Sequence, residues 1–168
     1  MPSTDYYPLA PGHRWTYRQK DGSTFTNAVT GVDEKGTFSM TNSVLGIEQH
    51  VRKEGTAYLT DSFEPGNFQV LLRDDLEAGD SWEIRFTANG IDSLIAMSVK
   101  ERGGSIEVEG RTFGDLLVIE GESKMFLGGS LTSINFFTRY HYAPGVGLVL
   151  TTTNYGDSMG LVSWQLDG

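Results

Sequence analysis

Apolar and polar side chains alternate with a period of two along most of this chain. In residues 13–20, Trp15 and Tyr17 share one face while Arg14, Thr16 and Arg18 share the other, the pattern of a half-buried β-strand. The same alternation predicts strands over 23–32, with Phe25 and Val29 on one parity, over 37–42, with Phe38 and Met40, and over 47–53, through Ile47, Gln49 and Val51. Further strands are expected over 56–62, 68–72, 81–89, 91–101, 105–109, 116–122, 131–142, 146–154 and 161–166, with 123–127 leading into a Gly-Gly turn. Leu116, Leu117, Val118 and Ile119 are apolar at both parities, which predicts a strand covered on both faces. Helical spacing never persists for three turns, and only the acidic stretch after Leu72 leaves room for a helical turn.

Turn residues punctuate these runs. Asp21-Gly22 and Asn89-Gly90 match the two-residue turns that fit strand twist. Asp33-Glu34-Lys35-Gly36 and Glu64-Pro65-Gly66-Asn67 read as longer turns, and Gly103-Gly104 and Gly128-Gly129 as hairpin turns. The 21 glycines recur at the spacing such connections require. The result is an all-β chain of about eleven strands with little or no helix.

One segment echoes another. Leu9-Ala-Pro-Gly12-His-Arg-Trp15-Thr-Tyr17 and Leu76-Glu-Ala-Gly79-Asp-Ser-Trp82-Glu-Ile84 both read Leu-x-x-Gly-x-x-Trp-x-apolar. Physically this is a turn whose glycine takes an unusual backbone angle, followed by a strand opened by an indole. Two related half-sheets and chance reuse of a favourable turn both fit the echo. Two copies are too few for a solenoid.

A length of 168 residues suits one domain, 1–168, with residues 1–5 as a flexible N-terminal tether. A chain of that size buries roughly 70% of its unfolded surface without help from a disulfide or metal. The net charge of −9 disfavours nucleic acid and anionic membrane surfaces as partners. No apolar run reaches the roughly 18 residues of a membrane span. There is no cysteine, so disulfides and thiolate chemistry drop out. The opening Met1-Pro2-Ser3-Thr4-Asp5 carries no signal-peptide pattern, which leaves a cytoplasmic protein or one whose leader has been removed.

Candidate chemistry is sparse. His13, His50 and His141 have no metal-ligand spacing, although His13 and His141 both lie in aromatic-rich segments that could meet. Ser43, Ser62 and Ser123 have no nucleophile-elbow context and no histidine near them in sequence. Asp61 and Glu64 are candidate members of a carboxylate pair. Asp74, Asp75, Glu77, Asp80 and Glu83 form either a solvated loop or a weak calcium site. The aromatic residues carry more weight. Ile134, Phe136, Tyr140 and Tyr142 share one parity and Phe137 and His141 the other, so one strand presents an aromatic face. With Trp15, Tyr17 and Trp82, such a face is either core or the lining of an apolar cavity in a curved sheet.

Tyr6-Tyr7-Pro8-Leu9-x-x-Gly12-x-x-Trp15-x-Tyr17, Glu107-Val-Glu-Gly-Arg-Thr-Phe113-Gly-Asp-Leu-Leu-Val118 and Tyr140-His-Tyr142-Ala-Pro144-Gly145-Val146-Gly147-Leu-Val149 resemble, in this order, segments of bacterial cell-envelope β domains of unassigned function. Those domains look like relatives of the lipoprotein-carrier half-barrels of the LolA/LolB type. The resemblance implies a strongly curved antiparallel sheet, a half-barrel or open barrel, with sheet-building roles for Tyr7, Gly12, Trp15, Phe113, Tyr142, Pro144, Gly145 and Gly147. The lid helix of the carriers has no counterpart in this sequence, and the resemblance brings no catalytic residue, metal or cofactor. It implies a cell-envelope or secreted protein, if a leader was removed. Three readings follow. The first is a noncatalytic domain binding an apolar small molecule on its concave face. The second is a structural or protein-interaction module with a packed core, its sheet edges meeting the partner. A hydrolase is the third, and it needs a cleft holding an imidazole or carboxylate of shifted acidity. Oligomeric state is left open.

Overall fold

The computed structural model describes residues 5–166. Twelve antiparallel strands run in chain order: β1 Arg14–Gln19, β2 Thr24–Val32, β3 Thr37–Asn42, β4 Glu48–Glu54, β5 Ala57–Thr60, β6 Gln69–Arg73, β7 Ser81–Ala88, β8 Ile91–Val108, β9 Arg111–Leu127, β10 Ser130–Ala143, β11 Gly147–Thr153 and β12 Ser158–Gln165. Each pairs with its sequence neighbours except at one point, and β1 pairs with β12. The sheet order β6-β5-β4-β3-β2-β1-β12-β11-β10-β9-β8-β7 therefore curls into a nearly closed barrel whose two edges are β6 and β7. No helix occurs among the described residues, and the acidic stretch after β6 is a pair of turns.

The strand count differs from the sequence reading because β8 and β9 are long. Gly103-Gly104, expected to be a hairpin turn, lies inside β8, where the register to β9 shifts between Val99 and Glu101, Arg102 and Gly104, and Gly104 and Ile106. A glycine pair within a strand relaxes the pleat and lets it bend, so the sequence signal of a turn and of a bulge is the same. The bend carries the β8–β9 tip across strands that are not its neighbours. Glu109 pairs with Arg18, the Arg111 guanidinium donates to the Val162 carbonyl at 3.0 Å, and Phe113 packs on Trp164. Leu116, Leu117, Val118 and Ile119 are all buried, as a strand covered on both faces requires.

Two hydrogen-bonded turns with the same geometry open β1 and β7. His13 N–H donates to the Ala10 carbonyl, Gly12 N–H to Val29 and Val29 N–H to His13; equivalently, Asp80 donates to Glu77, Gly79 to Val99 and Val99 to Asp80. Gly12 and Gly79 sit at φ 93° and 95°. Both are type II turns, whose third position needs a left-handed residue. Each echo thus begins one six-stranded half of the sheet.

At the end of the barrel where β1 starts, residues 5–12 act as a plug. Tyr7 contacts Tyr58 of β5 and Tyr142 of β10, so the segment reaches both walls. Tyr6 N–H donates to Asp74, whose other carboxylate oxygen pairs with Lys53 at 2.9 Å and accepts from Tyr58. Arg102 donates to the carbonyls of Asp74 and Leu76 and lies over the Tyr6 ring. Of the expected tether, residues 1–4 lie outside the described residues, while Asp5 accepts from Gly145 N–H and pairs with Lys53.

The barrel seam is closed by side chains instead of a backbone ladder. The Trp82 indole donates to the Val70 carbonyl at 3.0 Å, and Arg85 N–H donates to the Gln69 amide. Asn67 donates to the Arg85 carbonyl, and Thr87 N–H to the Glu64 carboxylate. These bonds satisfy edge groups that would otherwise template aggregation.

Candidate functional site

Plugged at one end, the barrel interior opens at the other into a cavity of about 510 Å³. Tyr7, Trp15, Tyr17 and Tyr142 form its floor, and each is fixed by a specific bond or ring contact. Trp15 donates to the Val146 carbonyl at 2.6 Å, in the turn before β11, and Tyr17 to the Leu148 carbonyl of β11 at 2.8 Å, both reaching past β12. The Tyr7 hydroxyl donates to the Met40 sulfur, and its ring meets Trp15 edge-on at 5.6 Å. Burial pushes the phenols of Tyr7, Tyr17, Tyr140 and Tyr142 above their ordinary range, so they remain neutral donors.

The walls are mixed. Phe25 of β2, Phe63 after β5 and Phe136 of β10 supply apolar faces, while Asn27, Asn42 and Gln49 line one side and Thr138, Thr151 and Thr153 another. Asn42 donates to the Asn27 carbonyl oxygen at 3.0 Å and accepts from the amides of Val44 and Leu45, which anchors the β3–β4 loop at the mouth. That loop exposes Val44, Leu45 and Ile47, and the projecting β9–β10 hairpin exposes Phe126, Leu127 and Leu131. Alternate hairpin loops of an up-and-down sheet lie at one end, so these apolar side chains rim the open end.

Trp15, Tyr17, Phe136, Tyr140 and Tyr142 thus line one cavity. Trp82 does not; it stands at the seam. Ile134 is exposed because Asn135, at φ 57°, breaks the parity within β10, while Phe137 belongs to an outer cleft with Trp82 and Glu120. Gly12 and Gly145 take positive φ in turns and Gly147 at the start of β11, Pro144 directly follows β10, and Phe113 is buried in the β8–β9 hairpin. The polar lining residues Asn27, Asn42, Gln49 and Ser62 escaped sequence reasoning. An inward polar residue on a strand has the sequence pattern of an outward one. The available signal was parity: Asn27 shares it with Phe25, Asn42 with Met40 and Gln49 with Val51.

The remaining candidates resolve into structure. His50 stands between two carboxylates: its Nδ1 donates to Asp61 at 2.9 Å and its Nε2 lies 3.3 Å from Glu48. The hydrogen bond it donates to Asp61 raises its pKa despite partial desolvation. Burial works against the Asp61 anion, but bonds from the His50 ring and amide and from Gly66 N–H outweigh it and lower its pKa. Glu64 accepts from Asn67 and Thr87 at the seam, so Asp61 and Glu64 hold loops and do not face one another as an acid–base pair. His13 bonds the Pro8 carbonyl and His141 the Leu150 carbonyl. Asp75 pairs with Arg73, Glu83 with Arg85, and Asp80 accepts from Glu77 N–H, which disperses the acidic stretch among separate partners.

No family model and no curated protein sequence matches this chain. Among solved structures, the fold is similar to that of a Bacteroides fragilis protein described as exported with a YmcC-like fold: TM-score 0.59, 12% identity, covering 95% of this chain and 98% of that one. It is equally similar to a Parabacteroides distasonis protein described as a lipoprotein: TM-score 0.59, 15% identity, covering 98% of this chain and 100% of that one. At these identities the likeness shows the fold.

Proposed function

We propose that this protein is a noncatalytic binding domain of the bacterial cell envelope that holds an apolar, lipid-like molecule in its barrel. The observation that carries the reading is the cavity itself: about 510 Å³, floored by Trp15, Tyr17 and Tyr142, and open at the end rimmed by exposed apolar side chains. That volume falls within the roughly 300–1,000 Å³ of small-molecule sites. The lining itself holds no imidazole or carboxylate, and the one acid bonded to the Thr153 hydroxyl, Asp157 at 3.5 Å, is not part of it, which argues for holding a ligand and against turning one over. The envelope location is supported by the described export and lipoprotein character of the two similar folds.

The neutral fluorophore N-phenyl-1-naphthylamine tests this. Saturable enhancement at one site per chain is expected, lost in Thr138→Trp, which fills the cavity from β10, while that variant keeps the wild-type melting temperature. Absence of saturable binding to the wild type would overturn the reading.

A protein-interaction module is the second reading, favoured by the exposed Val44, Leu45, Ile47, Phe126, Leu127 and Leu131 around the mouth. The sheet edges suit it less, since β6 and β7 are engaged with each other. Photocrosslinking from position 45 in cells distinguishes it by yielding a discrete protein adduct.

A further inference from the structure

The lining of the cavity carries amide and hydroxyl groups but no charge. Among the described residues, nothing on its wall is a carboxylate, ammonium, guanidinium or imidazole. The phenols on its floor stay protonated because burial disfavours their anions. The polar groups include Asn27, Asn42, Gln49, Ser62, Thr138 and Thr151, each able to donate and accept. An adjoining cleft of about 660 Å³ shares Thr151, Thr153 and Met159 and adds the charged Lys20, Asp21 and Asp157. Two acids and one base give that cleft a net negative balance, in a protein of charge −9.

We infer that the ligand is an uncharged amphipath, with an aliphatic or aromatic body against Trp15, Phe25 and Phe136 and a hydroxyl, ester or amide head among the Asn, Gln and Thr side chains. This rests on the binding reading above and specifies its ligand class. A carboxylate or phosphate head would leave water without a cationic partner and enter a negative field, which makes burial costly. An ammonium head would lose its hydration without a carboxylate in the wall to replace it. Amide and hydroxyl heads exchange water for donors and acceptors of matching kind, so their desolvation is offset.

The experiment is competition against bound N-phenyl-1-naphthylamine by twelve-carbon compounds of different heads, each below its micelle concentration at pH 8: 1-monolauroylglycerol, dodecyl maltoside, laurate and dodecyltrimethylammonium, with maltose alone as a chain-free control. The neutral pair is expected to compete at least tenfold more tightly than laurate or the ammonium, and maltose not at all. Laurate or the ammonium competing within threefold of the neutral pair would overturn the inference while leaving the binding reading intact. Maltose matching dodecyl maltoside would overturn it too, by showing that the site reads a sugar and no chain. If the fluorophore itself does not bind, it is the binding reading that fails.

Discussion

Trp15 and Gly147 meet across the barrel: a Cβ placed on Gly147 would lie 3.0 Å from the Trp15 indole nitrogen, which donates to the carbonyl of the preceding Val146. Gly147, at φ 116°, is in a backbone region that side chains avoid, and the indole occupies the space its missing side chain leaves. This contact helps join the aromatic-rich segment that opens the sheet to the one that connects β10 and β11. Trp15→Ala is expected to cost roughly 3–5 kcal/mol in chemical denaturation, the usual loss for a large buried aromatic. A loss under about 1 kcal/mol would show that the floor of the cavity is not part of the stabilising core.

The seam between β6 and β7 should be the weakest part of the sheet, since side chains replace the ladder there. Trp82→Phe removes the donor to the Val70 carbonyl and keeps most of the ring. The expected stability loss is about 1 kcal/mol, the net value of one hydrogen bond. Amide exchange in Gln69–Arg73 should accelerate well beyond that in β11. Equal protection of both strands in the variant would mean that the seam is held by apolar packing.

Gly79 gives a clean measure of the echoed turn. Its φ is 95° and no atom lies within 4 Å of where a Cβ would sit, so substitution acts on the backbone alone. Gly79→Ala should cost about 1–2 kcal/mol, and Gly79→Asn less, because asparagine tolerates the left-handed region. Thermal unfolding of both variants checks the order; an alanine as stable as glycine would exclude the type II geometry.

How much of this was legible in the sequence depends on what each residue's pattern can encode. Period-two alternation located the strands, and the doubled parity at Leu116–Ile119 correctly signalled burial on both faces. The echo at Leu76 to Ile84 was visible as letters, and its glycine and tryptophan spacing corresponds to matched turns. Gly103-Gly104 misled because glycine pairs serve bends and turns alike. Trp82, read as core or cavity lining, packs against the core from the edge strand, and only the strand order shows that this edge is a seam. The aromatic part of the cavity lining could be read from Phe136, Tyr140 and Tyr142; its amides share parity with buried apolar neighbours, but only closure of the sheet shows that a cavity lies on that side.

His50 and His141 should titrate on opposite sides of the ordinary histidine value of 6.5. The Asp61 hydrogen bond favours the imidazolium of His50 and raises its pKa. Burial disfavours the charged ring of His141 and lowers its pKa, although the bond to the Leu150 carbonyl opposes the change. For His50 the folded value exceeds the unfolded one, so its contribution is complete below about pH 6.5 and fades as pH rises through the folded value. For His141 the folded value is the lower one. Its contribution is therefore complete above about pH 6.5 and is lost as pH falls through that lower value. Asp61, with its folded pKa depressed, contributes above the ordinary carboxylate value and loses that contribution as pH falls through its own. The two histidines oppose each other near neutrality, so the intact protein should show a shallow stability profile between about pH 5 and 8. His50→Gln should make stability rise with pH across that range, and His141→Gln should make it fall. Proton NMR titration of the imidazole signals gives the direct check. A His50 midpoint below that of His141 would mean that Asp61 does not hold the His50 ring in solution.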